Sequence, residues 1–307
     1  LIAIPFFMLT GALMMGGRLG QAIIGVLTAT VGRWHGGPAQ VNVLSSTMFG
    51  GVSGSAVADA SAIGALVMPW HRKLRYPMAF SAASLASAAT IDIIIPPSIP
   101  LILFALSANA SIAALFYAGV LPGLLLCGGF MFACWWVGKR RNLPRETAPP
   151  DRAAFRRNLW HSAPALALPV LIVIFLRFGF ATPTEVSILS TLYAGLVSAL
   201  MYRDLSLKRL HHAVLEAGLA TGVVLLVIMA SAAIGWLLTF DQMPQHIAQW
   251  VQENVSAKWM VILLMNLMML FIGMFLDLPA AVLLLTPVFL PMAQSIGMDP
   301  IQLGIMM

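Results

Sequence analysis

The residues in this chain that could do chemistry are few, and they lie in apolar surroundings. Residues 48–68 read Met-Phe-Gly-Gly-Val-Ser-Gly-Ser-Ala-Val-Ala-Asp-Ala-Ser-Ala-Ile-Gly-Ala-Leu-Val-Met, a hydrophobic stretch interrupted by glycine, serine and the carboxylate of Asp59. Gly50, Gly51 and Gly54 permit backbone angles that a continuous helix does not use. A turn at Ser53-Gly54-Ser55 leaves about a dozen residues on either side, short of the roughly 20 that cross a bilayer. The stretch therefore predicts a re-entrant helical hairpin over residues 41–69, tolerated at membrane depth where protein or a water-filled cavity covers its tip. Asp59 falls in the first turn of the second leg, where the helix dipole favours an anion. An ionisable residue in such a segment marks a functional site by default. The competing reading is a small-residue surface, Ser-Gly-Ser-Ala, that lets two helices approach closely.

A second feature is Ile95-Pro-Pro-Ser-Ile-Pro100. Pro96, Pro97 and Pro100 cannot donate, so the carbonyls of Asp92, Ile93 and Pro96 lose their usual helical partners. Freed carbonyls facing a cavity suit a small cation, the discontinuous-helix device of secondary transporters. An ordinary proline kink is the alternative, and three prolines within five residues favour the break. A third feature is Gly273-Met-Phe-Leu-Asp277-Leu-Pro279, followed by Thr286-Pro287. Asp277 reads as an N-cap with proline in the first turn. Asp59, Asp92 and Asp277 could also serve as acid and base in an intramembrane enzyme. Spacing pairs none of them, however, and His35, His71, His161, His211, His212 and His246 lie near predicted loop ends rather than in a metal-ligand cluster. No catalytic residue, cofactor or resident metal is predicted.

These groups are positioned by a membrane framework. The 307 residues are 60% hydrophobic and 9% charged, with a mean hydropathy of +0.91, far from the roughly one-quarter charged composition of soluble domains. The chain is predicted to be an all-α polytopic membrane protein. Its net charge of +6 does not point to nucleic acid, because the basic residues cluster in short loops, where they set orientation. Cys127 and Cys134 lie seven apart in one apolar run, stacked on a helix face rather than forming a disulfide framework. Both ends read as cut: Leu1 lies inside an apolar run and the chain stops just after a new helix begins, so it is taken as part of a longer protein.

Residues 4–31 form a long apolar run, then Arg33-Trp-His-Gly-Gly-Pro38 turns the chain into the hairpin. His71-Arg-Lys-Leu-Arg75 places the next loop in the cytoplasm. A broken helix follows over 77–108, and a span over 112–137. Between Lys139 and Arg157 seven Lys or Arg stand against Glu146 and Asp151, making residues 138–161 a basic cytoplasmic loop. Connecting scaffold helices occupy 162–212, joined outside by Thr182-Pro-Thr-Glu185, a capping-box start. A further span over 215–240 and a second interrupted apolar segment over 259–291 complete the chain. Residues 1–137 and 213–307 share order and punctuation: long span, interrupted segment with an aspartate, short linker, proline-started helix. By the side assignments one begins outside and the other inside, an inverted repeat, the second copy incomplete.

Gly51-Val-Ser-Gly-Ser-Ala-Val-Ala-Asp59, Ile95-Pro-Pro-Ser-Ile-Pro100, Thr182-Pro-Thr-Glu185 with Tyr193-Ala, Gly273-Met-Phe-Leu-Asp277, and Leu285-Thr-Pro-Val-Phe-Leu-Pro291 with Gly297-Met-Asp-Pro300 run in order along the whole chain. Together they resemble the large membrane subunit of tripartite ATP-independent periplasmic (TRAP) transporters. The resemblance implies a multi-pass protein of the bacterial inner membrane, of elevator type with two re-entrant hairpins. It implies sodium-coupled import of small organic acids such as C4-dicarboxylates, sialic acid or sugar acids. The implied partners are a small four-helix membrane subunit, a periplasmic solute-binding protein and the carboxylate substrate. Carried over, sodium coordination falls near Ser53, Gly54, Ser55, Asp59, Ile95, Pro96, Pro97 and Ser98. The second hairpin's ion or substrate contacts fall near Gly273, Asp277 and Thr286. Asp92 departs from the family, which usually has a small or apolar residue there; it marks either a titrating group, with a proton as coupling ion, or a carboxylate facing water. The family's final helices are expected beyond Gly304. The alternatives are a related ion-coupled carboxylate carrier needing no binding protein, a non-transporting assembly subunit, and the intramembrane enzyme.

Overall fold

The computed structural model of the chain describes residues 2–15, 18–53, 55–147, 152–243, 246–247, 249 and 257–307. Every regular element among them is helical: α1 (Ala3–Met15), α2 (Arg18–Val31), α3 (Gly37–Ser53), α4 (Ala56–Lys73), α5 (Met78–Asp92), α6 (Ile99–Ala108), α7 (Ile112–Arg140), α8 (Arg152–Arg177), α9 (Pro183–Leu196, extended by a π-helical turn, Val197–Met201), α10 (Leu207–Phe240), α11 (Lys258–Gly273), α12 (Leu278–Ser295) and α13 (Pro300–Met306). Five are long and apolar enough to cross a membrane: α7, α8, α9 with its π turn, α10 and α12. Leu219, Val223, Leu226 and Met229 are exposed along one side of α10, spaced three or four apart as a single helical face requires. Such a face is at home in lipid. The protein is an all-α polytopic membrane protein.

Helix starts follow local chemistry. At α9 the Thr182 hydroxyl accepts from the Glu185 backbone N–H (3.3 Å) while the Glu185 carboxylate accepts from the Thr182 N–H (2.7 Å), with Pro183 in the first turn. Asp299 caps α13 by accepting from the Ile301 N–H at 2.7 Å. These bonds satisfy N–H groups that a helix end otherwise leaves orphaned.

The described chain divides into two compact bodies. The first holds residues 2–98 and 119–218, and α3 is its centre, packing on α1, α2, α4, α5 and α8. Polar and small side chains let α3 lie close to α5: the Asn42 amide donates to the Ser81 carbonyl (3.1 Å) and to the Ser84 hydroxyl (2.9 Å). α1 is pinned to α9 by Thr191, whose hydroxyl donates to the Phe6 carbonyl at 2.8 Å. Arg209 pairs with Asp204 (2.6 Å) and donates to the Leu13 carbonyl (3.2 Å). The thiols of Cys127 and Cys134 are free and buried on α7, in the cluster that includes Val43, Tyr76 and Ile91. The second body holds residues 99–118 and 219–307. There α12 packs on α6, α11 and α13, and Phe104, Phe116 and Phe289 are fully buried.

α3 and α4 pack against each other, and their 17 and 18 residues make each leg longer than the dozen expected. α4 continues through Pro69 to Lys73, and its end is closed by the Leu74 N–H on the Trp70 carbonyl (3.1 Å) and the Tyr76 N–H on that of His71 (2.9 Å). The reversal into α5 uses Arg75 at φ +53°. His71 is fully buried there, its Nδ1 against the Ser81 hydroxyl and its ring 5.3 Å from that of Tyr76. Burial lowers the His71 pKa from 6.5 to about 4, against an opposing pull from the Pro38 backbone. Above pH 6.5 the ring is neutral folded or unfolded. Between 6.5 and about 4 the unfolded chain takes up a proton that the folded one refuses, so stability falls as pH falls through that window. Thermal unfolding in detergent at stepped pH checks this: the midpoint drops across the window, and His71→Gln flattens the drop.

Candidate functional site

The site is built where α3 ends, α4 begins and α5 breaks. α3 terminates at Ser53 and α4 starts at Ala56; Gly54 lies outside the described residues, and so does the side chain of Ser53. Ser55 is the N-cap of α4, with extended backbone (φ −125°, ψ 102°) and no capping bond from its side chain. Its carbonyl accepts the Asp59 N–H at 2.9 Å. Asp59 occupies the first turn of α4 and is fully buried.

Asp92, the last residue of α5, is fully buried as well, and its carboxyl group meets that of Asp59. The two stand 33 positions apart in sequence and are joined only by the fold. Gly50 makes room for them: a methyl group there would lie 2.5 Å from the Asp92 Cα and 2.9 Å from its Oδ1. Among the described residues, no N–H or O–H outside the carboxyl pair itself donates to either oxygen of Asp92. The described ion pair of the chain, Arg209 with Asp204, involves neither aspartate. Two ionised carboxylates facing one another out of water repel, and a cation or proton between them removes the repulsion. The arrangement is therefore suited to holding positive charge.

The broken helix differs in one respect from its sequence reading. α5 ends at Asp92, and the N–H groups of Ile94 and Ile95 both turn back to the Ile91 carbonyl (3.0 and 3.1 Å). The Ile93 carbonyl, expected to be free, accepts the Ser98 hydroxyl. Ser98 thus supplies in-segment what Pro97 withholds. Pro96, Pro97 and Ser98 are buried, the Pro96–Pro97 peptide is cis, and Ile95 is seated on α7, within 2.5 Å of where a Gly123 Cβ would stand.

In the second body, Gly273 ends α11 and Asp277 is the exposed N-cap of α12, making no capping bond with its side chain. Thr286 is fully buried and donates to the Val282 carbonyl at 2.6 Å. Nine residues of helix, about 13 Å of rise, separate it from Asp277, so these two do not share one small site. Sequence reasoning missed Gly50 as the contact that seats Asp92, and the buried Asn42 and Ser46 on the same helix. The signal was present: Asn42, Ser46 and Gly50 recur every four residues, a polar and small-residue stripe on one helix face.

The comparisons with known proteins meet the fold at this point. The sequence pattern of the DctM component of tripartite ATP-independent periplasmic transporters matches residues 1–307. The chain belongs to the TRAP large permease family. It is 52% identical over its full length to an uncharacterized protein of Sinorhizobium fredii, covering 73% of that protein. It is 37% identical, again over its full length, to the 2,3-diketo-L-gulonate TRAP transporter large permease of Escherichia coli, covering 72% of it. It is 36% identical to the C4-dicarboxylate TRAP transporter large permease of Pseudomonas aeruginosa, also covering 72%. TRAP large permeases are transport subunits rather than enzymes, and membership implies a small membrane subunit and a periplasmic binding protein as partners.

Proposed function

We propose that this TRAP permease imports a small organic acid of the C4-dicarboxylate, sialic acid or sugar-acid type across the bacterial inner membrane, driven by sodium. The substrate is delivered by a periplasmic binding protein, and a four-helix subunit completes the membrane complex. The observation that carries the reading is the meeting of Asp59 and Asp92 at the junction of α3, α4 and α5, fully buried. Oxygen ligands are what a hard cation such as sodium takes up in exchange for its water. The N-terminus of α4, with Ser55 as cap, adds the positive end of a helix dipole suited to a substrate carboxylate. Related permeases named for 2,3-diketo-L-gulonate, C4-dicarboxylate and sialic acid support the substrate class.

Transport in this reading is a coupled equilibrium. Sodium and substrate stabilise the same compact state of the hairpin, each raising the other's affinity by a reciprocal free energy of typically about 1–3 kcal/mol. The second hairpin, with Gly273, Asp277 and Thr286, opens to the other side in an inverted, elevator-type cycle. Asp92 gives a second reading, in which a proton is the coupling ion, because a proton bridges two carboxyls as a cation does.

Uptake of labelled organic acids into proteoliposomes tests both. The complete permease is reconstituted with its small subunit and binding protein, with an inward sodium or an inward proton gradient. Uptake that needs sodium and the binding protein supports the first reading. Uptake that follows the proton gradient alone supports the second, and transport by the large subunit without the binding protein overturns the tripartite assignment.

A further inference from the structure

A different part of the first body carries an inference that does not depend on the coupling ion. The turn between α2 and α3, Arg33-Trp34-His35, together with α7 and the segment after it, lines an open cavity of about 490 Å³ whose walls include Arg33, Trp34, His35, Phe132, Trp135 and Arg145. A neighbouring cavity of about 530 Å³ shares Arg33, Trp34 and Arg145. The walls are held together by backbone. Gly36, at φ +70°, lies so close to α7 that a methyl group on it would fall 2.1 Å from the Cys134 carbonyl oxygen, and Gly138 abuts Gly36 in turn. The Glu146 N–H then donates to the Gly32 carbonyl at 3.1 Å.

Among the described residues, the charge at this site is unbalanced. Glu146, next to Arg145 in sequence, is engaged by other donors, the Trp70 indole N–H (3.1 Å) and the Thr147 N–H (3.1 Å). Among the described residues, Arg33 and Arg145 take part in no ion pair. Lys139 adds a third positive charge, with its ammonium 5.1 Å from the centre of the Trp135 ring. Arg33 and Arg145 line both cavities, and guanidinium groups match the oxygens of a phosphate. The surface leading away from the cavity is apolar: Leu121, Leu125 and Phe132 are exposed on one side of α7. From Leu121 to Phe132 the helix rises about 16 Å, comparable to an acyl chain, and Phe132 also lines the cavity. Exposed tryptophans at the same end, Trp34 and Trp136, suit the headgroup level of a bilayer.

We infer that these two adjoining cavities bind an anionic phospholipid, its phosphate headgroup at Arg33 and Arg145 on the more polar side and an acyl chain laid along Leu121, Leu125 and Phe132 of α7. The apolar track favours a lipid over free phosphate, because a soluble anion would have no use for it.

The test uses the complete permease with its small subunit, purified in detergent. Thermal unfolding is followed during titration with phosphatidylglycerol, phosphatidylcholine or inorganic phosphate, for the wild type and for Arg33→Gln with Arg145→Gln. Phosphatidylglycerol is expected to raise the wild-type midpoint by several degrees more than phosphatidylcholine, and the double variant is expected to lose most of that difference. An equal rise with both lipids, or the same rise with inorganic phosphate alone, overturns the inference. So does a double variant that releases the small subunit while responding to phosphatidylglycerol as the wild type does, which would assign the arginines to a protein interface. Should the double variant melt early in phosphatidylcholine, the single variants Arg33→Gln and Arg145→Gln carry the same comparison.

Discussion

Asp59→Ala in the complete permease is expected to lower sodium-driven uptake by about tenfold or more, the scale seen when a group supporting an ion site is removed. Asp92→Asn should act on the same quantity from the other side of the pair. The two carboxyl groups meet with no described donor to the Asp92 oxygens from outside the pair, so in the proposed reading the coupling ion is held by both. Asparagine keeps the volume of Asp92 and removes its charge. If sodium is the ion, the sodium concentration for half-maximal uptake rises in both variants and in Ser55→Ala. If a proton is the ion, Asp92→Asn abolishes the response to a proton gradient and leaves any sodium dependence as it was. An unchanged sodium requirement in all three variants would remove this hairpin from the ion site. Uptake across a range of sodium concentrations, corrected for the amount of folded protein in each liposome, is the measurement.

Gly50→Ala should be the more damaging of two apparently mild changes. Alanine is worth about 1 kcal/mol over glycine in an exposed helix interior, so on propensity alone α3 would gain. The new methyl would instead lie 2.5 Å from the Asp92 Cα, and a backbone atom cannot swing aside as a flexible side-chain end can. α3 and α5 must separate, at a cost of about 1–3 kcal/mol for overpacking a close contact. That separation also parts Asp92 from Asp59, so both the unfolding midpoint and the uptake rate should fall. Gly128→Ala is the control, since a methyl there meets nothing within 4 Å; it should leave the midpoint unchanged or slightly raised. A Gly50→Ala protein with wild-type midpoint and uptake would show that α3 and α5 are not in close contact at Gly50.

What the sequence made legible was local. Thr182 and Glu185 announce a capping box, and the structure forms both of its hydrogen bonds. The interruption at Ser53-Gly54-Ser55 coincides with the end of α3 and the start of α4, because small residues act on the backbone only a few positions away. Leg lengths were less legible, since α4 runs through Pro69 to Lys73. The Ile93 carbonyl was misread because a hydroxyl five residues on, at Ser98, replaces the donor that proline lacks. Least legible was the meeting of Asp59 with Asp92. Nothing in a spacing of 33 encodes contact; the pairing depends on the rotation and closeness of α3, α4 and α5, which only the packed structure sets.

The burial of Cys127 and Cys134 has a practical consequence. Both side chains are enclosed between α7 and its neighbours, where a water-soluble maleimide cannot reach a thiol in the folded protein. A single cysteine introduced at an exposed position of either body, such as Val57 beside the hairpin tip or Phe275 after α11, would therefore be the reactive thiol on an otherwise native background. Fluorophores or spin labels placed there would test whether the proposed hairpins open, and reactivity of the two native thiols becomes a built-in alarm for unfolding.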